Sequence, residues 1–399
     1  MPRVLVVLPT STYRAADFVA AAEALGVELA IASEEEPPID LGDRFVAVSC
    51  ADEHGSAEAI ADLAARTPID AIVAADDAGV VIAARAAEAI GLSHNAPEGV
   101  AATRDKAAMR SLLAAAEVPQ PDFVMLAEDA DPEAVVESFG APVVIKPLGL
   151  SASRGVIRVD HPAHAPAIAE RIRRIQGNTD PLLVERFVPG FEVAVEAMAW
   201  DGELEILAIF DKPEPLDGPF FEETIYVTPT RHPPDTVDAI LDSTRRAAGA
   251  LGITQGPVHA ELRISEGRAI VIEVAARSIG GLCGRSLRFG LMGTSLEVMI
   301  LRQALGMRKV GLRREPGASG VLMVPIPSSG TLEGFDGVDA VLAIPAVTGF
   351  EPGIPLGERV IPLPEGDRYL GFVFARAVHA AEVEEALSAA RSLLTPRIV

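Results

Sequence analysis

Two glutamates, Glu261 and Glu273, stand on either side of the segment SEGR within HAELRISEGRAIVIEVAAR, with His259 just before the first and Arg277 just after the second. The runs 258–264 and 269–275 are apolar and β-branched, and 265–268 has turn composition, so the sequence predicts an antiparallel hairpin. With the turn centred on Gly267, Glu261 lies directly across from Glu273. Like charges so placed repel, because their side chains start only about 4.5–5.5 Å apart. A cation between them removes the conflict, and Mg²⁺ is the hard divalent ion that suits paired carboxylates. Side chains alternate along a strand, which puts His259 and Ala275 on the same face, with Arg277 following on that side. A solvated outer face is the competing reading, and the opposite face, which carries only Ala, Leu, Ile and Val, argues against it.

Five further segments hold residues able to do chemistry. In APVVIKPLGLSASRGVIRV, Lys146 ends an apolar strand and is followed by the small-residue loop 149–155. Ser151, Ser153 and Gly155 let backbone N–H groups approach an anion closely, and Lys146 supplies a positive charge beside them. In PLLVERFVPGFEVAVEAM, Glu185 and Glu192 flank Phe187-Val188-Pro189-Gly190. Extended backbone from Arg186 to Val188 offers donors and acceptors to a flat heterocycle, and a carboxylate can accept two hydrogen bonds from a ribose diol. Lys106 lies in the helical segment TRDKAAMRSLL, where an exposed surface lysine is the ordinary expectation. Arg14, in the turn PTSTYR after the first strand, has the charge to bind a substrate carboxylate, and Asp76 and Asp77 end a later strand where they can meet a ligand or cap a helix.

The elements that position these residues form an α/β and α+β chain. Strands at 3–8, 27–32, 45–48 and 69–74 alternate with helices at 15–25, 56–66 and 79–90, the pattern of a doubly wound parallel sheet over residues 1–95. Its first turn lacks a glycine fingerprint, which speaks against a dinucleotide site there. Residues 96–310 form a second block, subdivided at about 118–190 and 191–310. It opens with a helix capped by Thr103 and running through Glu117, followed by a strand at 142–146. Three consecutive strands at 182–186, 192–200 and 203–210 come next, with Asp201-Gly202 as a hairpin turn, and a helix at 236–251 leads into the glutamate hairpin. Residues 311–399 read as a small α+β domain with strands at 320–325, 341–347 and 370–377 and a helix at 381–394.

Composition bounds the partners. The 399 residues are 49% hydrophobic and 23% charged, enough for large cores, and carry a formal charge of −23. Such a balance excludes nucleic acid and anionic membranes as partners, since phosphate backbones demand a basic surface. Cys50 and Cys283 are too few and too far apart for a disulfide framework or zinc spacing. The N-terminus reads as a strand broken by Pro9 and not as a signal peptide, and no apolar run approaches a membrane span. A cytoplasmic protein is expected.

In this order and spacing, the segments resemble the ATP-grasp superfamily of carboxylate-amine ligases across almost the whole chain. The resemblance implies ATP and Mg²⁺ as cofactors, with ATP-grasp domains at the centre of the chain. It implies that Lys106 and Lys146 contact the ATP phosphates and that the loop 149–155 closes over them. Glu185, with the backbone of Arg186 and Val188, matches the adenine site, Glu192 the ribose ligand, and Glu261 and Glu273 the metal ligands. Many members have E-x-N where this chain has Glu273-Val274-Ala275, so one side-chain ligand is missing. The E-x-A-x-R pattern, with GPVHAE, is similar to the L-amino acid ligase branch, which forms dipeptides. By the family mechanism an acid becomes an acylphosphate and an amine displaces phosphate, with Lys146 and Arg277 stabilising the moving charge. Ser278, Gly280 and Gly281 wall the substrate pocket with Arg277, and His259 either aids proton removal or packs as a neutral ring. The substrates implied are a small carboxylate and an amine, and a homodimer is common in the family. Carboxylase-like and purine-biosynthetic members, or an ATP-binding regulatory module without catalysis, are the alternatives.

Overall fold

The computed structural model describes residues 1–10, 12–37, 41–307 and 313–399, and the boundary expected near residue 310 lies outside them. The first sheet contains β1 (Arg3–Val7), β2 (Glu28–Ser33), β3 (Phe45–Ala47) and β4 (Ala71–Ala74), all parallel, in the order β3-β2-β1-β4. Helices α1 (Ala15–Leu25), α2 (Glu53–Arg66) and α3 (Val80–Ala89) cover it, as the near-continuous apolar runs of β1 and β4 require.

The single helix expected after Thr103 is two. Asp105 interrupts it with extended backbone, separating α4 (Pro97–Arg104) from α5 (Lys106–Ala115). Its carboxylate accepts from the Ala107 and Ala108 N–H groups, whereas Thr103 only bonds back to the Val100 carbonyl within α4. Lys106 therefore opens a helix and is buried.

A compact lobe follows, built from β5 (Phe123–Leu126), α6 (Pro132–Phe139), β6 (Val143–Pro147), β7 (Ile157–Val159), α7 (Ala165–Gln176) and β8 (Leu182–Arg186). Its antiparallel sheet runs β5-β8-β6-β7, so β8 belongs here and does not form one sheet with the two strands after it. The break falls at Pro189-Gly190, where Gly190 takes φ 120° and a Cβ would come within 2.0 Å of the Ile264 carbonyl oxygen.

The remaining strands are β9 (Phe191–Trp200), β10 (Glu203–Lys212), β11 (Ile225–Thr228), β12 (Gly256–Ser265), β13 (Arg268–Ala275), β14 (Ala318–Val324), β15 (Gly330–Asp336), β16 (Val347–Pro352), β17 (Arg359–Val360), β18 (Gly371–Ala377) and β19 (Thr395–Ile398). Helices α8 (Pro234–Ala250), α9 (Leu296–Ala304), α10 (Val338–Leu342) and α11 (Ala380–Leu393) pack against them. Eight strands make one antiparallel sheet, β13-β12-β9-β10-β11-β14-β18-β16. The C-terminal strands β14, β18 and β16 thus extend the sheet that carries the glutamate hairpin, and β17-β15-β19 form a separate small sheet. The strand expected at 341–347 is instead the end of α10 and a turn, with Val341 buried beneath it, and strand geometry starts at Val347. Among the described residues no helix is long and apolar enough to cross a membrane.

The hairpin itself contains a correction that matters. Its turn is the pair Glu266-Gly267, at φ 50° and 77°, which pairs Ser265 with Arg268. Continued unbroken, that register would set Glu261 against Ile272. A bulge admits Ile272 as an extra residue on β13, so Leu262 faces Val271 while Glu261 faces Glu273. Arg110 of α5 holds the bulge by donating to the Val271 and Ile272 carbonyls.

These contacts predict contrasting costs for two glycines. Gly190→Ala should destabilise by about 2–3 kcal/mol, because backbone must move. Gly202→Ala, at φ 87° with open space around it, should cost only about 1 kcal/mol. Denaturant melts of the two variants test the difference, and equal losses would contradict the packing described at Gly190.

Candidate active site

A cavity of about 650 Å³ lies where the first sheet, the small lobe, the large sheet and the segment before β18 meet. Cross-strand register places most of its charged side chains. His259, Glu261, Glu273 and Ala275 line it from β12 and β13, as the hairpin geometry requires. Lys106 enters from the start of α5, donating to the Leu150 carbonyl at 2.6 Å and standing 3.4 Å from Glu273. Lys146 enters from the end of β6. Ser151 and Ser153 line the cavity from the small-residue loop, in which Ala152 and Ser153 both adopt φ 55°.

Glu185 lines the cavity and is tied to two cations. Its Oε1 accepts from Arg110 Nε at 2.6 Å and its Oε2 pairs with Lys146 at 2.7 Å, with all three side chains buried. Burial would raise its pKa, and Arg110 and Lys146 outweigh that and hold it below the usual carboxylate range. The carboxylate thus fixes two cations, one of which also pins the hairpin bulge. Backbone at 186–188 is partly spent too. The Arg186 and Phe187 N–H groups donate to the Asp122 and Pro142 carbonyls, and the Val188 carbonyl accepts from Arg263. The Arg186 guanidinium turns outward onto Phe139.

Glu192 is likewise engaged on both oxygens, by Lys212 at 2.7 Å and by Arg263 Nε at 2.9 Å. Lys212 is the centre of a cluster in which one ligand oxygen each from Glu192, Glu223 and Glu261 lie within 4.8 Å of one another. Burial pulls the Lys212 pKa down, and the three carboxylates drive it well above the ordinary lysine value. An internal ammonium therefore holds the place that a cation would otherwise take among those three. The opposed pair Glu261 and Glu273 is looser, each with cations no nearer than 3.4 Å. Two hard oxygen donors facing one cavity, with room between their cationic neighbours, suit Mg²⁺.

His259 is neither neutral by environment nor merely packed. Burial would lower its pKa, but hydrogen bonds to Glu196 at 2.6 Å and Glu261 at 3.4 Å push it up to about 9. Arg277 points across the cavity to the first sheet, donating to Asp77 at 2.8 Å and to the Ser278 carbonyl at 2.8 Å. Its partner is thus Asp77, beyond β4, and not Glu273. Gly280 and Gly281 line the cavity beside it.

Three expected site residues fall outside the lining. Arg14 is buried with its guanidinium on Glu297 at 2.8 Å, the Ser278 hydroxyl at 2.7 Å and the Ala75 carbonyl at 3.0 Å, so it has no fork left for a substrate carboxylate. Ser278 is the acceptor in that contact. Gly155 takes φ 71° behind Pro147 and donates its N–H to the Pro364 carbonyl, closing the base of the loop without facing the cavity. Sequence reasoning missed Arg110, Glu196, Lys212, Glu223 and Arg263. Lys212 came nearest to a signal, but the turn at Asp201-Gly202 by itself sets it against Phe191, and a register shift between Ile206 and Ala208 moves it to face Glu192.

Comparisons with known proteins point to one family. Residues 139–286 match the ATP-grasp domain family, residues 19–94 the ATP-grasp N-terminal domain and residues 322–399 the L-amino acid ligase C-terminal domain 2. The chain is 30% identical over 210 residues to a D-alanine–D-alanine ligase of Aromatoleum aromaticum, covering 50% of this chain and 66% of that protein. It is 27% identical over 245 residues to the alanine–anticapsin ligase of Bacillus subtilis, covering 56% of this chain and 51% of that protein. The matches thus span about half to two thirds of the curated relatives. The crystal structure of L-amino acid ligase from Bacillus licheniformis superposes with a TM-score of 0.83 at 25% identity, covering 100% of this chain and 99% of that one.

Arg277 and Asp77 generate an acid signature. Burial alone would raise the Asp77 pKa from 3.8, and Arg277 foremost, with Arg104 and Lys106, holds it at about 2. Because the folded value is the lower one, this stabilisation is present above about pH 4 and disappears as pH falls through about 2. Denaturant titrations across that window should show a loss of stability that is shallower in Asp77→Asn, and identical acid profiles would sink the assignment.

Proposed function

Because the chain belongs to the ATP-grasp family, we propose that it is an ATP-dependent ligase that activates a small carboxylic acid, an amino acid by its resemblance, and joins it to an amine, releasing ADP and phosphate. The observation that carries this reading is the facing of Glu261 by Glu273 at one cavity with Lys106, Lys146 and Arg277. Those groups suit the parts that phosphoryl and acyl transfer need: positive charge for phosphate oxygens, hard carboxylates for a metal, and a guanidinium for a developing oxyanion.

In this reading Lys106 and Lys146 hold the phosphates, with the backbone of Ser151 and Ser153 beside them. Glu261 and Glu273 hold Mg²⁺, which supplies charge neutralisation and Lewis acidity on phosphate oxygens when bound. The acid's carboxylate attacks the γ-phosphorus, its bond to ADP breaks, and an acylphosphate results. Arg277, released from Asp77 or shared with it, stabilises the acylphosphate and then the tetrahedral oxyanion that forms as the amine attacks. Expulsion of phosphate leaves the amide. Glu185 keeps Lys146 and Arg110 in place, and Glu192, held by Lys212 and Arg263, has lone pairs left to accept from a ribose hydroxyl. The alanine-based acids and amines named in the relatives make amino acids the first substrates to try, in the cytoplasm where such pools and ATP coexist.

Two measurements test the proposal. Incubation with Mg-ATP and paired amino acids should release ADP and phosphate only when an acid and an amine are present. ADP release that depends on no member of the panel, or on bicarbonate alone, would contradict an amino acid ligase. Glu273→Ala should cut turnover by about a thousandfold while the melting temperature stays near that of the parent, since this side chain is partly exposed and its nearest salt-bridge partner is 3.4 Å away. Parental rates in that variant would refute the metal assignment.

A further inference from the structure

Glu196 lies in the middle of β9 with no solvent exposure. Register sets it opposite His259, and its Oε1 accepts from His259 Nδ1 at 2.6 Å and from the Ile279 N–H at 2.9 Å. Its Oε2 is buried without any hydrogen-bond partner. A buried carboxylate with one idle oxygen is costly, and a residue kept only for packing would be better replaced by an apolar one. What Glu196 touches is the site. The same Oε1 that accepts from the Ile279 N–H is placed to accept from Nδ1, and this short contact turns Nε2 toward Glu261 and the cavity. The second contact falls two residues beyond Arg277, on the segment that leads to Gly280 and Gly281.

We propose that Glu196 is a positioning residue: from one oxygen it fixes the direction of the His259 ring, and it anchors the backbone that leads on from Arg277. The inference rests on the ligase reading above, since Arg277, one of the two groups it positions, is assigned there to the acylphosphate and the tetrahedral oxyanion. A single buried atom thus sets the relative placement of the imidazole, on β12, and the guanidinium, on the segment that follows β13. The role resembles that of carboxylates that hold histidines from behind in other sites, where their removal costs activity without contact to substrate.

Glu196→Gln keeps the shape and an acceptor but weakens the hold on the ring. We expect kcat to fall by about 10- to 100-fold with KM for ATP unchanged and the melting temperature near the parental value. His259→Asn should show a similar fall, and adding Glu196→Gln to it should cost little more, because the second change acts through a ring already lost. Parental kcat in folded Glu196→Gln, or losses that multiply in the double variant, would overturn the proposal. Independently of turnover, ¹⁵N-labelled protein should show a strongly downfield Nδ1–H resonance that His259→Asn removes and Glu196→Gln shifts, and its absence from the parent would overturn the proposal as well. If no pair of substrates releases ADP, the ligase reading fails, and the resonance alone decides whether Glu196 holds the imidazole.

Discussion

Charge buried inside a sheet has to be answered by charge on the next strand, and the cavity of this protein is organised by that requirement. Glu192 on β9 has Lys212 across one edge and Arg263 across the other, and Glu196, four residues along the same strand, has His259. Glu261 is reached by Lys212 and His259 in turn. In low dielectric, such pairs are held in position only when nearly every oxygen and nitrogen has a partner, so the network fixes side-chain directions more firmly than it adds stability. The cations and carboxylates therefore stand ready around the cavity without a ligand to arrange them.

Glu185 shows the same logic at the junction of two sheets. It belongs to the small lobe, yet its partner Arg110 comes from α5 and continues to the carbonyls of the hairpin bulge, while its other partner, Lys146, faces the cavity. One carboxylate thereby ties the phosphate-side lysine to the strand that carries Glu273. A residue that lines the cavity is thus also a joint between the lobe and the large sheet.

Much of this was legible in the sequence, and the gaps have physical causes. The parallel sheet was readable because its strands are buried on both faces and its helices are Ala-rich. The opposition of Glu261 and Glu273 was readable because period-two alternation and a turn fix a register. It was right for a reason the sequence hid: the turn sits half a residue earlier than expected, and the Ile272 bulge restores the pairing. Arg14 was misplaced because a charged residue after a strand looks alike whether it awaits a ligand or a distant partner, and Glu297 lies 283 positions from it. Glu196 left no mark at all, being one glutamate in a strand whose burial becomes visible only when β12 and β10 close around it.

The bulge also separates what the hairpin tip can do from what the site needs. Between the turn and Ile272 the two strands are in one phase, and beyond it they are in another. Arg110 grips the point of change through two carbonyls. The outer part of the hairpin is therefore insulated from the inner part, much as a splice in a cable keeps twist on one side from reaching the other. Changes in length or sequence at Ser265 to Arg268 can be absorbed before they reach Glu273, whereas removal of the single side chain of Arg110 releases both phases at once. Tolerance to variation in this hairpin is set by an arginine on a helix, outside the hairpin altogether.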